Sequence, residues 1–313
     1  MQSTLSDKHF HDEEAAYAYV EARVWPEGPV CPHCGGIERI SKMGGKSTRL
    51  GAYKCYQCRK PFTVKIGTIF ESSHVPLRHW LQAIFLLASS KKGISSNQLA
   101  RTLGCTLKTA WFISHRVREA MGEKGLPPLG GEGKIVESDE TYWGPKDVDT
   151  DPRMKARRRG KPGPGGKAKI MALVERGGHS RAVKVADLTN ETMQRVLLEN
   201  VDRKSRLMTD EGTAPSLGLL FAKHETVKHS AKEYARGDVS TNTIEGYFSV
   251  FKRGMRGTYQ HCAEKHLQRY LDEFNFRYNT RVALGVNDVA RADKALKGVV
   301  GKRLTYRTVN ERS

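Results

Sequence analysis

The sequence predicts an α/β protein in which a cysteine-rich module and a group of helices precede a mixed α/β domain. Three observations support this fold class: two CxxC pairs near the N-terminus, a helix-turn-helix pattern after them, and alternating strand-like and helix-like segments from Lys134 onward. We divide the chain into an N-terminal helix (1–25), a cysteine module (26–71), a helix-turn-helix region (72–125), an α/β domain (130–281) with a basic insertion (146–167), and a basic tail (282–313).

The composition points to a polyanionic partner. The 313 residues carry a formal charge of +19 with an isoelectric point near 9.7, and nucleic acid is the commonest partner of so basic a protein. No apolar run approaches the ~18 residues of a membrane span, and the N-terminus lacks the layout of a signal peptide. We therefore expect a cytoplasmic protein that is associated with the nucleoid and has no membrane partner.

The cysteine spacing predicts a structural zinc site. Cys31 and Cys34 form one CxxC pair, Cys55 and Cys58 form the second, and twenty residues separate the two pairs. Two such pairs can supply the four thiolates of a tetrahedral Zn²⁺ site. The interior of a cell keeps thiols reduced, which favours metal binding over disulfides. We predict that this module is a zinc ribbon that holds one Zn²⁺.

A helix-turn-helix pattern occupies residues 94–121. A short helix (Asn97–Leu103), a Gly104-Cys105 turn and a second helix capped by Thr106 follow one another. The second helix carries basic residues that could contact DNA: Lys108, Arg116 and Arg118. A packing unit of three helices without a DNA role would show a similar pattern, so both interpretations stay open.

Three acidic residues have positions suited to a metal site. Asp139 lies on the first predicted strand of the α/β domain, Asp210 ends a later strand, and Glu245 lies in the first turn of a helix. Two divalent cations about 4 Å apart, held by carboxylates, serve phosphodiester chemistry well. If the fold brings these like charges together, they call for a cation. Glu137 and Glu140 flank Asp139, and the pattern alone does not say which acid binds metal.

The helix that carries Glu245 is predicted within residues 240–256. Asn242 is a suitable N-cap, and Lys252, two turns after Glu245, leaves the helix on the same face. One carboxylate and one ammonium side by side suit a metal ion and a phosphodiester. Asn242 and Glu245 also have the spacing of a capping box, in which the glutamate only satisfies a backbone N–H. Both interpretations stay open at this point.

Basic residues concentrate in two further segments. The insertion 146–167 is broken by proline and glycine and includes Arg157, Arg158 and Arg159, and the tail from residue 282 is again rich in Lys and Arg. We predict that both segments are arms that follow DNA phosphates, together with Lys252 and Arg253 of the helix. The alternative for the insertion is a solvated loop without a partner.

Together these motifs resemble the DDE-type transposases of bacterial insertion sequences, in the group with an N-terminal zinc ribbon (insertion-sequence family fifteen-ninety-five). The resemblance covers roughly residues 20–281. Besides the cysteine pairs, it rests on the stretches Glu137–Tyr142, Met208–Asp210, Asn242–Gly246, Phe251–Gly254 and Lys265–Phe274.

The resemblance implies an RNase H-like catalytic domain, a mixed sheet flanked by helices, which cuts and joins DNA with two Mg²⁺ or Mn²⁺ ions. It implies that Asp139, Asp210 and Glu245 are the catalytic metal ligands. Lys252 is expected to contact DNA near the site. Some members of the group have Asn rather than Glu as the third catalytic residue, so Asn242 is the alternative to Glu245, and both can line the site. The expected partner is double-stranded DNA, both the terminal inverted repeats of the element and the target, bound by a homodimer or a higher homo-oligomer.

Two other functions fit parts of the pattern. A non-catalytic regulator built from the zinc ribbon and the helix-turn-helix would explain DNA binding but would have no use for the three acids. A metal-dependent nuclease without strand transfer would use the acids and stop after cutting. We take DNA transposition as the prediction because it accounts for all of the motifs.

Overall fold

The computed structural model of the protein describes residues 3–123, 125–144, 167–210, 219–231 and 235–305. Contacts divide the chain into two compact units. The first comprises residues 1–123 and 285–313, and the second comprises residues 124–284. Across the described ranges, no helix combines the length and the apolar character that crossing a lipid bilayer requires. Most of the predicted basic insertion lies outside the described residues.

The described residues form eight α-helices and ten β-strands. The helices are α1 (Glu13–Val24), α2 (Leu77–Ser89), α3 (Ser96–Leu103), α4 (Leu107–Met121), α5 (Asn190–Asn200), α6 (Asn242–Gly254), α7 (Leu267–Asn279) and α8 (Asp288–Lys297). The strands are β1 (Ile40–Lys42), β2 (Tyr53–Cys55), β3 (Pro61–Phe62), β4 (Ile135–Trp143), β5 (Ala168–Glu175), β6 (Ser180–Val185), β7 (Arg206–Asp210), β8 (Lys223–Val227), β9 (Ala235–Arg236) and β10 (Val239–Ser240).

In the first unit, the cysteine module folds as a three-stranded antiparallel sheet in the order β1-β2-β3. Its core is aromatic, because Trp25, Tyr53 and Phe62 pack together with ring centroids 5.6 to 5.7 Å apart. Cys31 and Cys55 are buried beside these rings. So small a core contributes little folding free energy, so the module needs a further source of stability such as a metal.

The two helices predicted within residues 94–121 are present as α3 and α4. Gly104 has the left-handed backbone (φ 63°) that ends α3. The Thr106 hydroxyl oxygen accepts from the Thr109 N–H (3.2 Å), as expected of an N-cap, and α4 begins there. Both helices pack against α2. Their contact with DNA stays a prediction.

The C-terminal segment is not a basic arm as far as residue 305, and on this point the prediction is wrong. Residues 288–297 form α8, which packs against α1, α2 and α4 of the first unit. Beyond the helix, the Ile69 N–H donates to the Val299 carbonyl (3.3 Å). Lys294 and Lys297 are exposed, so they belong to the outer face of an amphipathic helix. The local excess of charge gave no sign of the buried face.

The second unit contains a five-stranded mixed sheet with the strand order β6-β5-β4-β7-β8. β5 is antiparallel to both β4 and β6, whereas β7 is parallel to both β4 and β8. α5 covers one face around Leu173 and Leu207, and α6 and α7 cover the other face around Ile170 and Phe251. This mixed sheet flanked by helices confirms the predicted RNase H-like α/β class.

Gly298 allows the C-terminal segment to approach α4 closely. A Cβ at this position would lie 2.3 Å from the backbone carbonyl oxygen of Ala120. Because a backbone atom cannot move aside as a side chain can, Gly298→Ala should destabilise the first unit by about 1–3 kcal/mol. Lys297→Ala is the matched control, since Lys297 is exposed, and should change stability by less than about 0.5 kcal/mol. Denaturant melts compare the two variants, and equal midpoints would contradict this packing.

Candidate functional site

Two of the predicted acids lie on neighbouring strands of the second unit. β4 and β7 are parallel, with Glu137 opposite Met208. Asp139 and Asp210 each lie two residues further along their own strand, so both side chains leave the same face of the sheet at the same level. Asp139 pairs with Ala172 of β5, and Ala172 is part of the core beneath α6 and α7. Both acids therefore lie on the α6 side of the sheet.

The third acid, Glu245, lies in the first turn of α6, and its side chain is exposed. α6 is held on the sheet by a buried stripe that includes Ile244, Phe248 and Phe251. Lys252 leaves the same helix two turns later, and its ammonium lies 5.6 Å from the centre of the Phe248 ring. The helix thus presents a carboxylate and an ammonium from one face.

The pKa of Asp139 depends on the charges of the other three predicted groups, Asp210, Glu245 and Lys252. Burial raises the pKa of the Asp139 carboxyl to about 6, and the charges of Asp210 and Glu245 act in the same direction. The Glu140 backbone N–H, which donates to Asp139 (2.7 Å), and the Lys252 ammonium lower that pKa. Asp210, Glu245 and Lys252 therefore all lie within electrostatic range of the Asp139 carboxyl.

α6 does not begin where the sequence analysis predicts. Its N-cap is Thr241, so the prediction of Asn242 as the cap is wrong, and Asn242 is the first helical residue with an exposed side chain. The Ile244 N–H, which a capping side chain would normally satisfy, donates instead to the Glu137 carboxylate (2.9 Å). The contact of Glu245 with the cap residue is a long bond from the Thr241 hydroxyl (3.4 Å). A glutamate from β4 thus caps the helix.

The two acids that flank Asp139 have different surroundings. Glu137 is 0% exposed, and its oxygens accept from the Arg176 guanidinium (2.6 Å) and from the Ile244 N–H. Glu140 points to the other face of the sheet, where it pairs with Met171 of β5. Burial, together with the charge of Asp139, raises the pKa of Glu140 to about 7. Of the three, Asp139 is therefore the carboxyl that faces α6 and interacts with the charges of Asp210 and Glu245. The sequence motifs gave no signal for Arg176.

The chemistry of the three acids fits a hard divalent cation such as Mg²⁺ or Mn²⁺, which prefers carboxylate oxygens. Within the described ranges, the group of potential ligands whose donor atoms all lie within 4.8 Å of one another is the set of four cysteines, and the three acids are more widely spaced. Like charges repel, and a cation between the carboxylates would offset that repulsion. The donor set therefore fits the ion that the resemblance implies.

Two of the arginines predicted to contact DNA are buried in the first unit. Arg116 is 4% exposed and donates to the backbone carbonyls of Ile69 (2.6 Å) and Glu71 (2.9 Å). Arg118 is 1% exposed and donates to the Ser114 hydroxyl (3.2 Å). The prediction that these two residues bind DNA is wrong, because α4 turns both guanidinium groups into the protein interior.

The other basic residues of the prediction have different positions. Lys108 is exposed on the first turn of α4, and Arg253 is exposed near the end of α6. Their role in DNA binding stays a prediction. Arg157, Arg158 and Arg159 lie outside the described residues.

The four predicted zinc ligands converge. The Sγ atoms of Cys31 and Cys58 lie 3.6 Å apart, those of Cys34 and Cys55 lie 3.7 Å apart, and all four lie within 4.8 Å of one another. A tetrahedron with Zn–S bonds of about 2.3 Å has S–S edges of about 3.8 Å, so the arrangement fits Zn²⁺. Backbone N–H groups, first that of Cys58, lower the pKa of the Cys55 thiol to about 7, which favours the thiolate that binds metal.

Family models match both the second unit and the cysteine module. A family model described as "ISXO2-like transposase domain" matches residues 128–279, and one described as "Transposase zinc-ribbon domain" matches residues 11–61. Both models are those of the IS1595 group. Residues 128–279 belong to the IS1595 family of transposases, and residues 11–61 match the zinc ribbon of the same family. The second unit therefore holds the transposase domain of the family, and the cysteine module is its zinc ribbon.

Individual proteins resemble this chain to different degrees. An "Uncharacterized protein in transposable element ISH50" from Halobacterium salinarum is 28% identical over 280 residues, which cover 86% of this chain and 92% of that protein. The Mos1 strand transfer complex matches with a TM-score of 0.26 and 16% identity, covering 69% of this chain and 73% of the Mos1 chain. A pre-cleavage Mos1 transpososome matches with the same TM-score of 0.26 and 16% identity, covering 70% and 78%.

The thiolate geometry leads to a test by metal analysis. Protein purified without added metal should contain about one Zn²⁺ per chain, because four converging thiolates bind zinc tightly. Cys34→Ser should lose the metal and the fold of the ribbon. Cys262→Ser, which removes a thiol from the second unit, is the control and should keep the zinc. Elemental analysis decides the question, and a zinc content near zero in the wild type would contradict the assignment.

Proposed function

We propose that this transposase binds the terminal inverted repeats of its insertion sequence, cuts the DNA at the element ends and joins the freed 3′ ends to target DNA. The observation that supports this proposal most is the common location of Asp139, Asp210 and Glu245. These residues are far apart in the sequence, yet Asp139 and Asp210 lie on the same face of the sheet, and the charges of Asp210 and Glu245 both raise the pKa of Asp139. A protein that only binds DNA has no need for such a cluster.

In the proposed site, Asp139, Asp210 and Glu245 hold two Mg²⁺ or Mn²⁺ ions. Bound ions of this kind stabilise the attacking and leaving oxygens of a phosphodiester displacement. The two aspartates project from neighbouring strands, which fixes their spacing through backbone hydrogen bonds. Glu245 completes the set from the helix above them. The partial burial of Asp139 strengthens its electrostatic interactions with the neighbouring charges.

Two further residues of α6 take part in this proposal. The Lys252 ammonium, on the same helix face as Glu245, offers a point charge to a DNA phosphate near the reacting group. Asn242 is exposed in the first turn, one helical turn before Glu245, and its amide can hydrogen-bond DNA or metal-bound water. Neither residue replaces an acid as a metal ligand in this arrangement.

Double-stranded DNA is the proposed partner because the chain carries a net charge of +19 and belongs to a transposase family. Exposed Lys108 and Arg253 are candidate contacts to the phosphate backbone. Joining two element ends to one target calls for two catalytic sites, and each chain has one set of the three acids. We therefore propose that a homodimer, or a higher homo-oligomer, acts on DNA in the cytoplasm.

Charge-removing variants test the three acids. Asp139→Asn, Asp210→Asn and Glu245→Gln should each lower Mg²⁺-dependent cleavage by about a hundredfold or more, because a metal ligand is lost. Thermal midpoints of the metal-free protein should stay level or rise, since each change also removes like-charge repulsion. Glu199→Gln, on the exposed side of α5, is the matched control and should retain activity. Near wild-type cleavage by Glu245→Gln would remove Glu245 from the site.

One incubation separates the three candidate functions. Wild-type protein with Mg²⁺ and labelled terminal repeats from its own element should give cut ends first and then joined products with target DNA. Cut products without joined ones would indicate a nuclease. The absence of any product, with DNA binding intact, would indicate a regulator and would overturn the proposal.

The charge of the chain predicts a strong dependence of DNA binding on salt. The logarithm of the binding constant should fall linearly with the logarithm of salt concentration, with a slope of about −0.9 per neutralised phosphate. Replacing residues 153–161 with a Gly/Ser segment of equal length should flatten the slope and leave sequence preference unchanged, since phosphate contacts do not specify sequence. Fluorescence anisotropy measures both quantities. A slope unchanged by the replacement would assign that segment to solvent.

A further inference from the structure

The start of α6 is anchored by a carboxylate from outside the helix. The first N–H groups of a helix have no partner within it, and Thr241 makes no side-chain cap bond. The Glu137 carboxylate accepts from one of them, the Ile244 N–H (2.9 Å), from 107 residues away in the sequence. Its negative charge also lies at the positive end of the helix dipole. Since Glu137 is 0% exposed, solvent does not weaken this contact.

An arginine holds the chain immediately before the helix. Arg176 follows β5, and its Nε donates to Glu137 (2.6 Å). Its remaining nitrogens donate to the Asp238 carbonyl (2.6 Å) and to both the carbonyl (2.8 Å) and the hydroxyl (2.9 Å) of Ser240. The planar guanidinium fixes these partners relative to one another, which a lysine ammonium would not do. β10 and the entry to α6 are thereby tied to β4.

We propose that Glu137 and Arg176 are positioning residues that set Glu245 at a fixed place relative to Asp139. Glu137 lies two residues before Asp139 on the same strand and the same face. Ile244, which it binds, is the residue before Glu245. One rigid strand therefore carries the first acid and also the anchor of the third. This inference rests on the proposed function of Glu245 as a metal ligand.

The test begins with hydrogen exchange of the metal-free protein. In Glu137→Gln the amide nitrogen must face one of two donors, Arg176 or the Ile244 N–H, so one contact is lost. Exchange in a peptide spanning residues 240–248 should become about tenfold faster or more, the size expected for a lost charge-assisted bond. A peptide spanning α7 should keep its rate. A loss of global stability alone would accelerate both peptides.

The second readout is metal dependence of DNA cleavage. In Glu137→Gln the Mn²⁺ concentration for half-maximal cleavage should rise several-fold, and saturating Mn²⁺ should restore much of the rate, because the ligand remains but is less well placed. Arg176→Lys keeps the charge and loses the planar fork, so it should show the same pattern to a smaller extent. This variant carries the test should Glu137→Gln fail to fold.

Glu175→Gln is the matched control. Glu175 lies in the same sheet and is 13% exposed. It accepts from the Gly130 N–H (3.1 Å) and forms an ion pair with Lys134 (3.4 Å), and neither of these partners is in α6. It should change neither readout. Unchanged exchange over residues 240–248 in both Glu137→Gln and Arg176→Lys, or an equal change in Glu175→Gln, would overturn the inference. Wild-type cleavage by Asp139→Asn would instead overturn the proposed function.

Discussion

The second unit holds three carboxyls, those of Asp139, Asp210 and Glu245, within electrostatic range of one another although they repel. The cost appears at Asp139, whose pKa burial and two neighbouring acids raise to about 6. The sheet supports this arrangement because β4 is hydrogen-bonded on both sides, to β5 and to β7. The Glu137–Arg176 pair adds a second support by tying the helix of the third acid to the same strand. A site that stays folded under its own repulsion is preorganised for a cation.

Local spacing and strand alternation were enough to predict where many of the candidate site residues lie in the fold. The two CxxC pairs predicted the cluster of four cysteines, because each pair is a motif that spans only four residues. Alternation along β4 put Asp139 on the correct face, and its relation to Asp210 follows from the parallel pairing of their strands. Capping residues marked the two helices of the helix-turn-helix for the same reason. In each case the signal lies within one element.

The misses concern partners that are distant in the sequence. Arg116 and Arg118 were predicted to be surface cations. In the folded protein α4 turns them inward, and they donate to backbone carbonyls and to a hydroxyl in the interior. The tail was predicted to be a charged arm. Its apolar face, with Ala295 and Leu296, packs against helices that come much earlier in the chain, and the local sequence does not reveal such partners. The sequence did not reveal the cap of α6 because Glu137 lies on β4, 107 residues before Ile244.

The central claim is that Asp139, Asp210 and Glu245 jointly hold divalent metal, and Fe²⁺-directed cleavage of the protein tests it most directly. Fe²⁺ bound in place of Mg²⁺ is oxidised to Fe³⁺ by added hydrogen peroxide, which yields hydroxide and a hydroxyl radical, and the radical cuts the backbone near the ion. The account expects cuts close to all three acids, suppressed by excess Mg²⁺ and lost in Asp139→Asn. Cuts near only one of the acids, or cuts that persist unchanged in Asp139→Asn, would contradict it.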